Sequence, residues 1–306
     1  MGRIRGVRAL VTGGAGFIGS NLVDALIERG DSVEVVDNLS SGKRENVSEQ
    51  APLHVLDVRE PLNGLFADSK PDVCFHLAAQ ADVRVSIERP DYDAEVNVIG
   101  TLRVLEAARA AGSRVVFAST GGAIYGECDA PAGESSERRP LAPYGTAKLA
   151  AEEYLLTYER LYGMRNVALR FGNVFGPRQD PHGEAGVVAI FLGRLRDGEI
   201  CRIFGDGKQE RDYVYVGDVV QSMLAAAEVE SGIFNVGTGK ATSVLELYEL
   251  CRKVAGSELA AKLAPARAGE LQRSVLDIGK SERELGWRAE TSLEEGLRRT
   301  WDWITS

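Results

Sequence analysis

The feature that most constrains the fold is a glycine-rich turn near the start of the sequence. Gly13, Gly16 and Gly19 stand three residues apart between an apolar run and a helical pattern, in the segment ALVTGGAGFIGSNLVDALIERG. Glycines at this spacing allow a tight turn and a close backbone approach to a pyrophosphate, which the N-terminus of the next helix then binds. A tight turn without any ligand would need similar residues, so the context must decide.

An acidic residue at the end of the next predicted strand supports dinucleotide binding. Asp37 follows Gly19 by 18 residues, close to the spacing of about 20 residues expected of a ribose-binding acid. A carboxylate there would accept hydrogen bonds from the ribose hydroxyls and repel a 2′-phosphate. The sequence therefore favours NAD over NADP, and Arg44 nearby leaves NADP open as the alternative.

Short strand patterns alternate with helical patterns through the first half of the chain. Such alternation predicts parallel strands joined by right-handed crossovers. The predicted strands are Arg8–Thr12, Ser32–Asp37, Leu53–Leu56, Val73–Leu77, Arg114–Ser119 and Asn166–Arg170, and the predicted helices lie near Gly16–Arg29, Asp91–Ala111 and Pro143–Tyr162. We therefore predict an α/β fold with a Rossmann-type doubly wound parallel sheet.

The pattern changes after Phe171, where a loop rich in glycine and proline begins. Shorter elements follow: helices near Val187–Arg196 and Val219–Glu228, strands at Arg202–Phe204, Tyr213–Val216 and Ile233–Val236, and helices in VLELYELCRKVA and SLEEGLRRTWDWI. This arrangement predicts a smaller, mixed α/β C-terminal domain that binds the substrate. We assign residues 1–170 and about 213–238 to the dinucleotide-binding domain, and residues 171–212 and 239–306 to the second domain.

Composition and charge exclude several other classes of function. A net charge of −9 disfavours nucleic acid as a partner. No apolar run approaches the roughly 20 residues of a membrane span. The four cysteines are far apart and the three histidines show no ligand spacing, so we expect free thiols and no metal. We therefore expect a cytoplasmic protein without a membrane contact.

Tyr144 and Lys148 stand four residues apart in the predicted helix PYGTAKLAAEEY, which places both side chains on one face. Tyrosine alone is a poor base at neutral pH because its pKa is about 10. A lysine ammonium one turn away favours the phenolate and can also hydrogen-bond the ribose of a bound nicotinamide nucleotide. A surface Tyr/Lys pair would not account for the upstream dinucleotide motif. We therefore interpret the pair as catalytic.

Together, the segments TGGAGFIGS, YGTAK and RFGNVFGPRQDP resemble those of an extended short-chain dehydrogenase/reductase. Within that group the chain is similar to the UDP-glucose (UDP-galactose) 4-epimerase family, from about Val7 to Trp303. The resemblance implies NAD as cofactor, a UDP-sugar as substrate and a homodimer. In that family the dimer forms through the helices that correspond to Asp91–Ala111 and Pro143–Tyr162.

The resemblance also implies a set of cofactor contacts along the whole dinucleotide. Asp57 and Val58 would contact the adenine, Leu77 to Ala79 would line the pyrophosphate and ribose, and Asn97 would lie at the bottom of the cleft. The full predicted set is Gly13, Gly16, Phe17, Ile18, Gly19, Asp37, Asn38, Asp57, Val58, Leu77, Ala78, Ala79, Asn97, Ser119, Tyr144, Lys148 and Phe171.

A second implied set surrounds the nucleotide sugar. Tyr144 would be the base at the sugar 4-hydroxyl. Two arginines would bind the diphosphate by their guanidinium groups, which reconciles a net acidic chain with an anionic substrate. The full set is Arg84, Thr120, Gly121, Tyr144, Asn173 (diphosphate), Val188, Ile203 and Phe204 (uracil), Arg211 and Arg267 (diphosphate), Glu270 (uridine ribose) and Ser274.

Three positions depart from the family pattern. Gly121 stands where a serine or threonine is usual, so Thr120, one residue earlier, becomes the candidate catalytic hydroxyl. Ala81 replaces a frequent lysine, and Arg84 three residues later is a candidate sugar contact. Ser274 is small at a position that can restrict the pocket, and a small side chain there would admit an N-acetyl group.

The resemblance implies a redox-neutral 4-epimerase that acts through a transient 4-keto sugar. UDP-glucose and UDP-galactose are the expected substrates, and the N-acetylated sugars are further candidates. A UDP-glucuronate 4-epimerase or another nucleotide-sugar enzyme of the same fold is the nearer alternative. Arg84 favours the former, because it could pair with the carboxylate of a glucuronate. A binding protein without catalysis is the remoter alternative, because the intact Tyr144/Lys148 pair speaks against it, and the displaced Thr120 keeps it open. Uracil and thymine are not distinguished.

Overall fold

A parallel sheet of seven strands forms the centre of the fold. The computed structural model describes residues 6–181, 186–267 and 271–306. The strands are β1 Arg8–Thr12, β2 Ser32–Val36, β3 Leu53–His54, β4 Val73–His76, β5 Arg114–Thr120, β6 Val167–Phe171, β7 Asn173–Phe175, β8 Arg202–Phe204, β9 Glu210–Arg211, β10 Tyr213–Tyr215, β11 Gly232–Val236, β12 Thr242–Ser243, β13 Lys262–Ala264 and β14 Arg273–Ser274. The central sheet has the order β11-β6-β5-β4-β1-β2-β3.

The strand order positions the functional site. Strand β1 pairs in parallel with both β2 and β4, so the chain runs outward in one direction through β3 and then returns to the other side. In open α/β sheets a crevice forms at this reversal, outside the carboxyl ends of the strands. Residues that follow β1, β2, β4 and β5 therefore meet at one edge of the sheet.

Helices cover both faces of the sheet, and further helices alternate with short strands in the second half of the chain. They are α1 Phe17–Arg29, α2 Asn63–Ser69, α3 Val83–Glu88, α4 Pro90–Ala94, α5 Gly100–Ala111, α6 Gly121–Ile124, α7 Pro143–Tyr162, α8 Val187–Arg196, α9 Val216–Ala226, α10 Val244–Val254 and α11 Leu293–Thr305, with a 3₁₀ turn at Arg44–Asn46 and π turns at Glu95–Ile99 and Ser281–Leu285. Within these described residues no helix is long and apolar enough to cross a bilayer.

Local sequence explains the bounds of α7, the helix that carries the Tyr/Lys pair. Pro143 is its first residue, where a proline loses no helical hydrogen bond. Gly163 follows its last turn with φ 66°, a left-handed conformation that glycine adopts without strain. Helix α7 packs against α5 and the π turn Glu95–Ile99. This packing fixes the position of the α7 side chains along the carboxyl end of β5.

The second half of the chain forms small sheets around its own apolar core. Strand β7 pairs with β10, β8 with β13, and β9 with both β12 and β14. The core of this part includes Phe191 of α8, Tyr248 of α10 and Leu297 of α11. The predicted division into two domains stays a prediction, and these pairings are compatible with it.

The doubly wound sheet predicted from the sequence is confirmed, with three local differences. The third strand ends at His54 instead of Leu56, because Leu56 turns towards the cleft at the sheet edge. The helix predicted at Asp91–Ala111 begins at Pro90 and contains the π turn Glu95–Ile99. Helices α2, α3 and α6 were not predicted, since all three are too short to show a clear 3.6-residue period.

Candidate active site

The glycine-rich turn after β1 is packed too closely against backbone for a side chain at Gly13 or Gly19. Gly13 has φ 72° and its amide donates to the Val36 carbonyl at 2.7 Å. A Cβ atom at Gly13 would lie 2.6 Å from the Ala78 amide nitrogen, and one at Gly19 would collide with the Gly13 carbonyl. Gly16 caps the N-terminus of α1. The tight turn thus brings the N-terminus of α1 to the cleft, where its first amides are suited to a pyrophosphate.

A cleft of about 520 Å³ extends from this turn along the carboxyl edge of the sheet. Sixteen of the seventeen residues predicted to contact the cofactor line it: Gly13, Gly16, Phe17, Ile18, Gly19, Asp37, Asn38, Asp57, Val58, Leu77, Ala78, Ala79, Ser119, Tyr144, Lys148 and Phe171. The seventeenth, Asn97, lies beneath it. Segments far apart in sequence are therefore brought into one wall, although the contact assigned to each residue stays a prediction.

Asp37 is held in place at the end of β2. Its carboxylate is buried and accepts hydrogen bonds from the backbone amides of Ala15 at 3.0 Å and Leu39 at 2.8 Å. The next acid of the wall, Asp57, accepts from Asn38 at 2.9 Å. Hydrogen bonds from Arg59 hold the pKa of Asp57 well below its usual range. A carboxylate fixed on the backbone can accept ribose hydroxyls without losing side-chain entropy on binding.

Asn97 supports the cleft wall from below. It accepts from the Gln80 amide at 3.1 Å and donates to the Gln80 carbonyl at 2.8 Å. Asp93, one turn earlier, accepts from Gln80 Nε2 at 2.8 Å and Asn97 Nδ2 at 3.0 Å. Because Gln80 directly follows Leu77–Ala79, this cluster fixes the loop that forms the wall after β4.

A buried histidine connects the glycine-rich turn to the same cluster. His76 Nδ1 lies 2.7 Å from Thr12 Oγ1, and Nε2 lies 3.0 Å from Thr101 Oγ1. Thr101 donates its hydroxyl proton to the Asn97 carbonyl at 2.7 Å, so it accepts from Nε2–H. Burial, together with the Lys148 charge, lowers the pKa of His76 to about 3. The imidazole is therefore neutral at physiological pH, and it bridges Thr12 and Thr101 at a fixed separation.

Tyr144 and Lys148 lie one turn apart on α7 and both line the cleft. Lys148 is 3% exposed. Its Nζ donates to the Ala118 carbonyl at 2.9 Å and lies 4.6 Å from the centre of the Phe117 ring. The ammonium is thus anchored to β5 beside the half-buried Tyr144. This arrangement suits a base whose phenolate is favoured by a fixed positive charge.

One more turn along the same face of α7, Glu152 joins a buried polar network. It accepts from Ser119 Oγ at 2.5 Å and from Arg170 at 2.6 Å. Arg170 also donates to Tyr125 Oη at 2.7 Å, and Tyr125 donates to Asn235 Oδ1 at 2.7 Å. Burial raises the pKa of Tyr125 to about 12. The network ties α7 to β5, β6 and β11.

Thr120 and Asn173, predicted on the substrate side, face the same opening. A Cβ atom at Gly122 would lie 3.9 Å from Thr120 Oγ1 and 3.9 Å from Asn173 Oδ1, with nothing closer. Gly121 differs, since a Cβ atom there would lie 2.6 Å from Leu276 Cδ2. The structure shows open space at Gly122, whereas the Leu276 side chain occupies the space at Gly121.

The two neighbouring glycines predict opposite outcomes for the same substitution. Gly121→Ala should lower the free energy of unfolding by about 1–3 kcal/mol, because the buried Leu276 has no free space to move into. Gly122→Ala should change it by less than about 0.5 kcal/mol. Urea unfolding of both variants measures the difference. Equal destabilisation by both would contradict the assignment of open space to Gly122.

Several residues predicted to hold the nucleotide are also brought together. The Arg267 guanidinium lies 3.9 Å from the centre of the Phe204 ring. Arg211 of β9 is in register with Ser274 of β14. A guanidinium stacked on an aromatic ring keeps its donors free to point sideways at phosphate oxygens. These contacts are compatible with the predicted roles, which stay predictions.

Other members of the predicted substrate set lie apart from the opening. Val188 and Ile203 are buried in the apolar core of the second half. Arg84 is exposed and pairs with Asp82 at 2.5 Å, at the start of α3. It is not among the residues that line the dinucleotide cleft, and its predicted contact with a sugar stays a prediction. Glu270 lies outside the described residues.

The sequence reasoning missed a second wall of the dinucleotide cleft. Lys43, Arg178 and Asp180 line it. Lys43 and Asp180 approach each other at 4.0 Å, and Arg178 pairs with Asp24 of α1 at 2.7 Å. The segment RFGNVFGPRQDP contains two of these residues, but nothing in its composition indicates that the loop returns to the glycine-rich turn.

Comparison with known proteins agrees with the geometry. The model of the NAD dependent epimerase/dehydratase family matches residues 9–237. The UDP-glucose 4-epimerase of Mycolicibacterium smegmatis is 46% identical over 304 residues, with 96% of this chain and 97% of the relative covered. The structure of UDP-glucose 4-epimerase with UDP-glucose from Thermotoga maritima has a TM-score of 0.95 at 46% identity, covering 97% of this chain and 98% of that one. The Thermus thermophilus UDP-glucose 4-epimerase complex with NAD has a TM-score of 0.92 at 46% identity, covering 97% and 99%.

A doubly wound sheet with a dinucleotide cleft and a Tyr/Lys pair at one end defines a nicotinamide-dependent enzyme. The chain belongs to the NAD dependent epimerase/dehydratase family. It is an isomerase that uses NAD, as the sequence predicted. The residues fit that cofactor, because Gly13, Gly16 and Gly19 line the cleft at the N-terminus of α1 and the Asp37 carboxylate is fixed in the same wall.

Proposed function

We propose that this chain is a UDP-glucose 4-epimerase, which interconverts UDP-glucose and UDP-galactose. The observation that carries the proposal is the position of the Tyr144–Lys148 pair at the end of the dinucleotide cleft. Thr120 and Asn173, which share one opening, add polar groups for a sugar and its phosphate. The relatives that carry this name match the chain over nearly its full length, which supports the same assignment.

The residues divide the chemistry between proton transfer and binding. NAD, when bound, supplies a reversible hydride acceptor. Tyr144 removes the proton from the 4-hydroxyl as a phenolate and returns it at the end of the cycle. Lys148, anchored on the Ala118 carbonyl, stabilises that phenolate by its charge. The Thr120 hydroxyl is the proposed hydrogen-bond donor to the same sugar oxygen.

A 4-epimerase must bind the nucleotide firmly and leave the sugar free to present either face. Asn173, Arg211 and Arg267 are the proposed diphosphate ligands, and guanidinium forks suit phosphate oxygens. The open space beside Gly122 provides clearance for the sugar. Ser274 is small and 7% exposed in β14, which supports acceptance of N-acetylated sugars.

The assembly and the location belong to the same proposal. We propose a homodimer that forms through α5 and α7, because α7 leaves the large apolar side chains of Tyr154, Leu161 and Tyr162 exposed. A cytoplasmic location is supported by the cysteines Cys74, Cys128, Cys201 and Cys251, all of which are free thiols.

The test uses purified protein with no added cofactor. It is incubated separately with UDP-glucose, UDP-N-acetylglucosamine and UDP-glucuronate, and the 4-epimers are resolved by chromatography. We expect UDP-glucose to be converted to UDP-galactose, and the mixture to reach the same ratio from either sugar. Conversion of the N-acetylated sugar tests whether the small Ser274 admits an N-acetyl group. Conversion of the glucuronate tests whether Arg84 contacts the sugar. If no sugar is converted even after NAD is added, the proposed function is wrong.

A further inference from the structure

A buried carboxylate connects two of the small sheets in the second half of the chain. Asp212 stands between β9 and β10 and is 1% exposed. Strand β10 pairs with β7, whereas β9 pairs with β14. The chain therefore passes at Asp212 from the sheet that holds Ser274 to the sheet that holds Asn173. Both residues belong to the predicted substrate set, and so does Arg211, which directly precedes Asp212.

The backbone of Asp212 joins these strands directly. Its carbonyl accepts from the Asn173 amide at 2.7 Å, and its amide donates to the Ser274 carbonyl at 3.0 Å. Gly172 packs against the same carbonyl, because a Cβ atom there would lie 2.8 Å from it. A shift of Asp212 would therefore move the strands that carry two predicted contacts of the nucleotide sugar.

The side chain of Asp212 binds two further segments. Its Oδ1 accepts from the Thr238 amide at 2.7 Å and from the Thr238 hydroxyl at 2.6 Å. Its Oδ2 accepts from the amides of Gly239 at 3.0 Å and Leu276 at 3.4 Å. Leu276 in turn occupies the space beside Gly121, next to the candidate catalytic hydroxyl. One carboxylate thus ties this part of the opening to the strands that carry the predicted substrate contacts.

The surroundings of Asp212 fit a carboxylate in one position. All four hydrogen bonds to its side chain come from neutral donors, and burial raises the pKa of Asp212. A buried carboxyl group is costly unless such bonds are made. A Cβ atom at Gly237 would lie only 2.5 Å from Oδ2, so the backbone there leaves no space for the carboxylate to move.

We propose that Asp212 is a positioning residue for the nucleotide sugar: its hydrogen bonds hold Asn173, Arg211 and Ser274 in the relative positions that binding requires. Asp212 acts through these residues and not by contact with the sugar or the cofactor. The inference rests on the proposed function in one respect, namely that these three residues contact a UDP-sugar.

Asp212→Asn disturbs this position with little change in volume. Each carboxylate oxygen faces a backbone amide N–H, so the amino group of asparagine meets a donor in either orientation. We expect the Kd for UDP, measured by calorimetry on the NAD-containing protein, to rise at least about 10-fold. KM for UDP-glucose should rise in parallel. The amount of bound NAD should not change, because none of the described partners of Asp212 lines the dinucleotide cleft.

The matched control is Asp218→Asn. Asp218 is also buried, and it also accepts from the amide and the hydroxyl of one threonine, Thr291, at 3.0 and 3.1 Å. This variant should leave the Kd for UDP unchanged, because neither residue belongs to the predicted substrate set. Urea unfolding of both variants measures how much stability is lost when a buried carboxylate is replaced.

Thr238→Val is a second test in case Asp212→Asn folds poorly. It removes the hydroxyl that donates to Oδ1, whereas Thr238→Ser keeps that donor. We expect Thr238→Val to raise the Kd for UDP by at least about 3-fold and Thr238→Ser to bind UDP like the wild type.

The outcomes distinguish this inference from the proposed function. If wild-type protein binds UDP but converts no UDP-sugar, the proposed function fails, and weaker UDP binding by Asp212→Asn or Thr238→Val still supports the positioning role. If wild-type protein is active and both variants bind UDP as tightly as it does, the inference is wrong. Equal weakening by Asp218→Asn would also overturn it, and failure of the wild type to bind UDP would overturn both proposals.

Discussion

Tyr144→Phe should reduce kcat for UDP-glucose by about 10²- to 10⁴-fold while the protein keeps its NAD. The phenolic oxygen is the only atom removed, and general acid–base catalysis by a positioned side chain is worth that range. Lys148 stays anchored on the Ala118 carbonyl, so the cofactor wall is unchanged. Turnover is followed by resolving UDP-galactose from UDP-glucose, and NAD is measured in the denatured, filtered protein.

Tyr154→Phe is the matched control for this substitution. Tyr154 lies on the same helix, also loses only an oxygen, and is 40% exposed on the other side. It should keep nearly full activity. Full activity in Tyr144→Phe would exclude Tyr144 as the base and leave Thr120 as the remaining hydroxyl at the opening. A joint loss of activity and NAD would instead indicate a damaged cofactor site.

The predictions from sequence were most accurate where one short segment of the chain determines the local structure. The glycine spacing at Gly13–Gly19 and the four-residue spacing of Tyr144 and Lys148 both depend on local geometry, and the structure places them as predicted. Asp37 at the end of β2 follows the same logic. Turn and helix geometry are set by neighbours in sequence, which is why these elements were predictable.

Features that depend on distant segments were not predictable from one sequence. The contact of Gly121 with Leu276 joins residues from opposite halves of the chain, so no periodic pattern in the sequence predicts it. Lys43 and Asp180 meet because a long loop returns to the first helix. The local ion pair of Arg84 with Asp82 was likewise not predicted, and the sugar contact of Arg84 stays a prediction.

Buried charge was the largest feature that the sequence did not reveal. Glu152 follows Lys148 by four residues, so its side of the helix could be predicted. Its partner Arg170 in β6 could not, because arginine in a strand is usually exposed. The structure shows both side chains almost fully buried, at 0% and 1% exposure. Their mutual position therefore matters for stability as well as for the site.

Arg170→Met should lower the free energy of unfolding by about 3–5 kcal/mol, because it leaves the Glu152 carboxylate buried without its cation. Burial alone would lower the pKa of Arg170, but the hydrogen bonds and charge of Glu152 raise it, so Arg170 is a cation in the folded protein. Arg138→Met is the matched control. This substitution removes the cation that pairs with Glu153, whose side chain is 50% exposed. It should lower the free energy of unfolding by less than about 1 kcal/mol.

The double variant Glu152→Leu, Arg170→Met tests whether the unpaired charge causes the loss. An apolar pair of similar volume avoids the desolvation of a lone carboxylate, so it should recover most of the stability lost in Arg170→Met. It should not recover turnover, since Ser119 donates to Glu152 directly beside Thr120 and loses that partner. Urea unfolding and UDP-glucose turnover of the same samples separate the two effects. A cost for Arg170→Met no larger than that of Arg138→Met would contradict the argument, because it would mean that Glu152 is solvated without its partner.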